Sequence, residues 1–455
     1  TAASKYGLKK ALDMSGKRNR SRLYRRVVWQ LQNSLETGAD MGLSLKAVLE
    51  DLRKVQEYEA QRYGRSMEKK MIVYVIGAIV FPALSVVVIQ TMGSLGLSEK
   101  LAGESSYWMI LAFSVVTQLF FVFLVRVTKP ALLTELNASY EGDLSVVGRV
   151  LSTLKYAGVK SPGKHLLASL IVSGFFGLIA AYYASGLLSV DFGLLFFSFT
   201  VACFVFLFFR KVCEARRRGV VAASHLPDSL RITASNIKAG LPIDQSLFMS
   251  AREDFPVLGS ELKLMACDVM KNVSFEEAVE KTSERVRDSG LHLSLNLIAH
   301  GLRGGLGVAD SLYHIADILQ RREHMRQEVS AQLHSVKATV LLLVMFSAPI
   351  LYGFSFVSTD VMSSFGRNIS HSLPDEVMGR SWVKPMQAET GGFLDNYIVT
   401  NLFTTAFLGC LTIGFVSTGK ILDGMKYFFP SAVVSVVTYV SSKAVLYSVF
   451  KGMLG

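Results

Sequence analysis

Long apolar runs alternate with polar, helix-forming stretches along this chain of 455 residues. A helix needs about 20 residues to cross roughly 30 Å of hydrocarbon, and each apolar run is about that long. The intervening polar stretches lack the alternation that would indicate strands. The pattern therefore predicts an all-α, polytopic membrane protein with seven spans, at about 71–92, 107–125, 165–188, 191–209, 338–357, 398–418 and 427–449.

The chain also contains an internal repeat at a constant offset of 267 residues. Residues 6–89 align with 273–356 without a gap, and Pro82 in the first apolar run meets Pro349 in the fifth. Other identical pairs are Leu35 with Leu302, Gly38 with Gly305 and Lys70 with Lys337. A duplicated unit that ends each time in an apolar run with a proline at the same depth indicates a two-copy membrane scaffold.

Each copy contains a long polar helix that runs into a span. After Val308 no glycine or proline occurs until Pro349, and some 40 residues at about 1.5 Å each predict a rod of roughly 60 Å. The rod enters the apolar run after Lys337, and the first copy repeats the plan from about Leu43 through Lys70. A force on the polar region would therefore pass directly to a span.

Lys and Arg are concentrated beside one set of span ends, and this bias predicts the orientation. The N-terminus, 129–164, 210–337 and 419–426 are predicted to be cytoplasmic, and the C-terminus to lie outside. The basic run at 17–26 is then expected to meet the anionic leaflet or an acidic partner rather than nucleic acid.

The first part of the chain is predicted to contain a partial first cytoplasmic helical domain at 1–70, a span pair at 71–128 and a cytoplasmic helical linker at 129–164. A second span pair at 165–209 and a second cytoplasmic helical-bundle domain at 210–337 follow. The last part is predicted to contain a span at 338–357, an extracytoplasmic loop at 358–397 and two final spans at 398–455. The first copy lacks a counterpart of 225–272, so we expect it to be N-terminally truncated, with some 40 or more residues missing before Thr1.

Two glycine-rich motifs resemble nucleotide-binding motifs but lack residues or spacing that those motifs require. Gly414–Lys420 fits the phosphate-loop spacing, yet Ile421 stands where the Mg²⁺-binding Ser or Thr should be and no strand precedes it. Gly301–Gly307 lacks the spacing of a dinucleotide fingerprint and indicates a tight turn. The histidines show no metal-ligand spacing, and ionisable groups inside the spans are almost absent. The sequence predicts no catalytic residue, no metal site and no cofactor.

A set of packing and turn signatures in the second copy resembles the F-type cytoplasmic domain of type II secretion and type IV pilus systems. The signatures are Leu226–Leu230, Ala239–Pro242, Ser246–Leu247, Ser274–Ala278, Arg303–Gly305 and Asp310–Leu312, followed by the long helix into a span. Two domain copies separated by a helical pair and two spans look most like the archaeal platform proteins of archaella and archaeal pili.

The resemblance implies a non-enzymatic membrane platform in the cell membrane. Its implied partners are a hexameric assembly ATPase, pilin-like or archaellin-like subunits and membrane lipids, and it is compatible with a homodimer. The alternative is a two-repeat transporter or lipid-handling protein. That alternative is disfavoured because Pro82 and Pro349, the only breaks in the repeated spans, have no charged neighbours.

Six basic residues are the predicted ATPase-docking set, and none of them is assigned to catalysis. Arg303 lies on a tight turn between two helices, where a charged side chain is placed to meet a partner. Arg321 and Arg322 follow on the rod, and Lys54 of the first copy aligns with Arg321. The full set is Arg303, Arg321, Arg322, Lys46, Arg53 and Lys54.

Overall fold

Helices of membrane-spanning length dominate the computed structural model of the chain. It describes residues 8–19, 22–38, 40–94, 104–128, 162–188, 190–286, 291–292, 294–296, 298–299, 307–372, 390–418 and 421–454. Every regular element in these ranges is helical, and seven helices are long and apolar enough to cross a membrane. The predicted all-α class and the number of spans are therefore confirmed. The chain divides into two compact units, Thr1–Arg65 and Ser66–Gly455.

The helices of the first repeat copy and the following span are α1 (Leu8–Arg18), α2 (Arg22–Thr37), α3 (Met41–Val75), the π-helix π1 (Ile76–Val80), α4 (Phe81–Ser94) and α5 (Glu104–Thr128). The middle of the chain contains α6 (Pro162–Leu187), α7 (Phe192–Lys238), α8 (Ile243–Ser250), α9 (Leu258–Met270) and α10 (Phe275–Val286). The last part contains α11 (Val308–Leu342), the π-helix π2 (Leu343–Ser347), α12 (Ala348–Ser372), α13 (Thr390–Thr418), a 3-10 helix (Ile421–Tyr427) and α14 (Phe428–Leu454).

The ends of the helices in the polar domain follow from local chemistry. Gly240 adopts φ +94, and the amide of Leu241 donates to the Asn236 carbonyl, which closes α7 in a Schellman motif. The predicted capping residue Ser274 accepts a hydrogen bond at 3.3 Å from the Glu277 amide and so opens α10. These turns fold the chain back, so that successive helices bury their apolar faces against one another.

The core of the polar domain includes an apolar face of α7. Leu226 and Leu230 are almost fully buried there, and they belong to one cluster with residues from α8, α9, α10 and α11. Leu291 and Leu295, in a short helical stretch before α11, complete the same core. The bundle therefore holds the start of α11 in place.

Helix α7 is longer than the sequence reading suggested. Sequence analysis placed the end of span four at 209 and treated the helix near Leu226 separately, whereas α7 is one helix of 47 residues that contains Pro227. At 1.5 Å per residue it is about 70 Å long. Span four therefore continues directly into the polar domain, and α7 packs against α11.

Span six, α13, is the most enclosed of the seven. In its apolar window 78% of the residues are buried, against 17–50% in the other spans. It packs against α5, α11 and α14. Large apolar side chains such as Phe123 on α5 and Phe175 on α6 are exposed, as lipid-facing residues of a membrane protein would be.

Contacts between span ends define two opposite faces. Asn396 of α13 donates to Asp191 just before α7, and Tyr397 lies 5.4 Å from the ring of Tyr107 on α5, so spans two, four and six begin on one face. Lys337 donates to Tyr427, which places the starts of spans five and seven together. Within α13 and α14, the pairs Asp395–Lys443 and Cys410–Ser431 show that the two helices are antiparallel. This alternation is what consecutive spans require.

Candidate functional site

The bounds of the two long polar helices, and of the π-helix that follows each, agree to the residue. Adding 267 to the bounds of α3 gives the bounds of α11, and adding it to those of π1 gives those of π2. Helices α1 and α10 also start at matching positions. The duplication therefore includes a long rod, a π-turn and a span in each copy. We call α3 and α11 the two rods.

Each π-turn is explained by the proline that follows it. Pro82 and Pro349 have no backbone N–H, so each leaves a carbonyl of the preceding turn without its helical donor. The amide of Phe81 reaches back to Ile76, and the amide of Ala348 to Leu343, in the spacing of a π-helix. The sequence predicted a proline kink at these positions. The structure shows a π-turn inside a helix that otherwise continues.

A serine from a neighbouring span donates to a carbonyl of each π-turn. Ser114 Oγ of α5 lies 3.4 Å from the Ala78 carbonyl in π1. Ser435 Oγ of α14 lies 2.8 Å from the Val344 carbonyl in π2. An unpaired carbonyl in hydrocarbon costs several kcal/mol, so these bonds let the irregular turn persist at membrane depth. Sequence reasoning missed both serines.

The two repeated spans lie side by side and run in the same direction. Ser335 Oγ on α11 donates at 3.4 Å to Glu68 Oε1 on α3, and these positions are equivalent in the repeat. Beyond the π-turns, α4 packs against α12. Contacts both before and after the π-turns require a parallel pair, related by an approximate twofold axis. Forces carried by the two rods would therefore converge on adjacent spans.

A polar network joins α12, α13 and α14 near the start of α13. Asp395 is 1% exposed and accepts hydrogen bonds from Tyr439 at 2.7 Å and from Lys443 at 3.0 Å. Tyr447 donates to Asp360 of α12 at 2.6 Å. We call these five residues the polar network. Buried charges in a span are costly unless they are paired, and here the pairing fixes three spans to one another.

The sequence held one signal for this network. In the sequence, ionisable groups inside the spans are almost absent, yet Lys443 lies in the last apolar run, 427–449. A lysine in an apolar run predicts a carboxylate partner in a neighbouring span. The sequence predicts that the partner, Asp395, lies in the loop at 358–397. In the structure α13 already begins at Thr390, so Asp395 lies in the helix.

At the other end of the second rod, an exposed ion pair ties α11 to α7. Lys238 Nζ lies 2.8 Å from Asp310 and 4.9 Å from the centre of the Tyr313 ring. Because this ammonium donates a hydrogen bond to the carboxylate, the pKa of Asp310 lies below its ordinary value. The rod is thus attached to the bundle where it begins.

The six predicted docking residues are only partly described. Arg321 is 56% exposed and donates to Asp317 at 3.0 Å, and Arg322 is half-buried with a partner of its own. Lys46 and Lys54 are exposed on α3. Arg303 and the side chain of Arg53 lie outside the described part of the chain. The set therefore stays a prediction, without an observed common surface.

Gly424, in the 3-10 helix just beyond the phosphate-loop-like motif, has a packing role. A Cβ on Gly424 would lie 1.8 Å from the Cys410 carbonyl oxygen and 2.7 Å from the Gly414 nitrogen. The 3-10 helix therefore approaches the backbone of α13 closely, and a side chain at position 424 would push the two backbones apart. Gly419 and Lys420 lie outside the described residues.

Comparison with known proteins identifies the duplicated unit. Residues 4–89 and 229–355 match the family model described as type II secretion system (T2SS), protein F. No curated protein and no solved structure matches the chain. Proteins of this family are membrane platforms rather than enzymes, and they work with assembly ATPases and pilins. One stretch in each copy of the repeat, together a little under half of the chain, therefore matches the model of the type II secretion system protein F family.

Proposed function

We propose that this chain is the integral membrane platform of a type IV filament machine, an archaeal pilus, an archaellum or a related secretion system. In this role it couples a hexameric cytoplasmic assembly ATPase to the insertion of pilin-like subunits into the filament. One observation supports the proposal above the others. Each F-type domain ends in a rod that continues into a span, and the two spans lie parallel and in contact.

The proposed coupling depends on the stiffness of the second rod. Its start is held in the bundle core and by the Lys238–Asp310 pair, and α12, the span that continues it beyond π2, is held by the polar network. The ATPase would grip the cytoplasmic tips of the two domains through the predicted basic set. A push or turn there would move α12 together with α13 and α14, and so displace the surface on which a subunit rests.

The orientation in this proposal follows the Lys/Arg bias. The N-terminus and 210–337 face the cytoplasm, and the C-terminus faces outside. The polar network then lies near the external face, and Tyr427 near the cytoplasmic face. A homodimer would place two copies of this rod pair around one filament base.

A two-repeat transporter or lipid-handling protein is the second candidate, and the buried Asp395–Lys443 pair is the observation in its favour. The pair is neutral as a unit, and Tyr439 also bonds to it. The repeated spans keep helical hydrogen bonding through their π-turns, whereas transporter sites typically use unwound segments. The platform explains the rods, which a transporter does not need.

The direct test is ATPase binding by a charge-reversed variant. Arg303, Arg321 and Arg322 changed together to Glu should leave the protein folded in the membrane but weaken co-purification of the ATPase and stop filament assembly. The matched control changes Arg252, Lys263 and Lys271, all exposed on the same domain, to Glu. Normal binding and normal filaments in the first variant would show that the docking surface lies elsewhere.

A further inference from the structure

Two lysines approach one tyrosine at the end of the spans opposite the polar network. Lys337 Nζ on α11 lies 4.5 Å from the centre of the Tyr427 ring and donates to its hydroxyl at 2.7 Å. Lys426 Nζ lies 5.1 Å from the same ring centre. The two ammonium nitrogens are therefore within about 10 Å of each other. Among the described residues, neither lysine forms an ion pair.

This arrangement differs from the buried pair at the other end of the spans. The Asp395–Lys443 pair is internally neutral, whereas Lys337 and Lys426 place two positive charges around one neutral ring. Like charges at this separation repel each other, and an anion between them would remove the repulsion. A phosphate can accept hydrogen bonds from two ammonium groups at once because it presents several acceptor oxygens.

The surroundings indicate a phosphate that carries acyl chains. Lys337 precedes the apolar window of its helix, and Leu342 and Phe346 follow it with 58% and 48% of their side chains exposed. Tyr427 directly precedes α14. Charged and aromatic residues at the start of a span occupy the depth of lipid headgroups, and the exposed apolar residues beyond them occupy the depth of the chains.

We propose that Lys337, Lys426 and Tyr427 form a binding site for the headgroup phosphate of an anionic glycerophospholipid. The phosphate accepts hydrogen bonds from the two ammonium groups, and the acyl chains lie at the depth of the exposed apolar residues Leu342 and Phe346. Since Lys337 belongs to the second rod and Lys426 to the 3-10 helix before α14, the bound lipid ties the rod to span seven where both meet the headgroup layer. The site is independent of the proposed ATPase contact.

The repeat supplies a matched control for this proposal. Lys70 is equivalent to Lys337, and Lys69 is beside it, yet no tyrosine ring contact is described for either lysine. The test compares wild type, the Lys337→Gln/Lys426→Gln variant and the Lys69→Gln/Lys70→Gln variant. The full-length protein is purified in detergent, titrated with phosphatidylglycerol, and bound lipid is counted by native mass spectrometry.

A basic residue near anionic lipid contributes about 1 kcal/mol, so losing both lysines of the site should weaken phosphatidylglycerol binding about 30-fold. The Lys69/Lys70 variant should bind nearly as well as wild type. A Lys337→Arg/Lys426→Arg variant keeps both charges and should retain binding, which separates loss of the site from misfolding. Phosphatidylcholine, whose headgroup is zwitterionic, should bind weakly to all four proteins.

Three outcomes would overturn the proposal. Equal losses in the two Gln variants would mean that lysines attract lipid without a defined site. Unchanged binding in Lys337→Gln/Lys426→Gln would place the lipid elsewhere. Displacement of the lipid by millimolar inorganic phosphate would show that the site recognises the free anion rather than a lipid.

Discussion

The two copies of the repeat share their helix bounds but not their surroundings. Half of the apolar window of the second copy's span is buried, against 33% in the first copy. The Val344 carbonyl in π2 accepts a hydrogen bond from Ser435 at 2.8 Å. The Ala78 carbonyl in π1 accepts one from Ser114 at 3.4 Å. Among the residues that the structure describes, the span beyond the π-turn contacts an ionic network in the second copy alone, through Phe356 and Asp360.

This difference indicates a division of labour between the copies. A segment with more buried contacts separates from its neighbours at a higher free-energy cost, so the second span should move only together with α13 and α14, whereas the first should be the more easily displaced on its own. Duplication supplied the same rod and π-turn twice. The spans that contact each copy then determined how tightly each is held.

The largest expected effect comes from removing the positive charge of Lys443, which pairs with Asp395 beside the second copy's span. Lys443→Met should lower the free energy of unfolding by about 3–5 kcal/mol, because it leaves Asp395 buried and ionised without its partner. Thermal unfolding in detergent, followed by intrinsic fluorescence, measures the loss. Adding Asp395→Asn should restore most of the stability. A loss no larger than that of the exposed control Lys271→Met would contradict the role given to the network.

The second-largest expected effect concerns a close contact between α12 and α14 that differs between the copies. A Cβ on Gly353 would lie 2.1 Å from Ser442 Oγ and 3.2 Å from Ser442 Cβ, and the equivalent first-copy residue is the buried Val86. We expect Gly353→Ala to cost about 1–3 kcal/mol by overpacking α12 against α14. Ser442→Gly in the same chain should relieve that cost. Gly174→Ala, in open space, is the control and should not destabilise the protein.

Much of this architecture could be predicted from the sequence. The seven spans follow from the lengths of the apolar runs, and the rods follow from the absence of helix breakers between Val308 and Pro349. The π-turns could be located through the prolines but not recognised, since a kink and a π-turn have the same sequence signal. The serines that stabilise them could not be predicted, because their partners lie 36 and 91 residues away.

Removing the serine hydrogen bonds to the π-turns should destabilise the protein less, and more in the second copy than in the first. Ser435→Ala should destabilise the protein by up to about 1.7 kcal/mol, and Ser114→Ala by about half as much, since interhelical hydrogen bonds in membranes average about 0.6 kcal/mol and the Ser435 bond is shorter. Thermal unfolding of the two single variants and the double variant measures both. A larger loss for Ser114→Ala would show that the first copy is the more tightly held one.

The smallest expected effect is at the exposed pair that only the second copy has. Asp310 of α11 pairs with Lys238, whereas the equivalent first-copy residue is Leu43. Exposed ion pairs are weak and screened by salt, so a double-mutant cycle of Lys238→Ala and Asp310→Ala should give a small coupling that vanishes at 1 M salt. The pKa of Asp310 is lowered in the folded state, so the pair stabilises above the ordinary carboxyl pKa of about 4 and its contribution is lost as the pH falls through the lowered value. A coupling that persists in high salt and at low pH would mean that packing of Lys238 on Tyr313, rather than charge, attaches the second rod to the bundle.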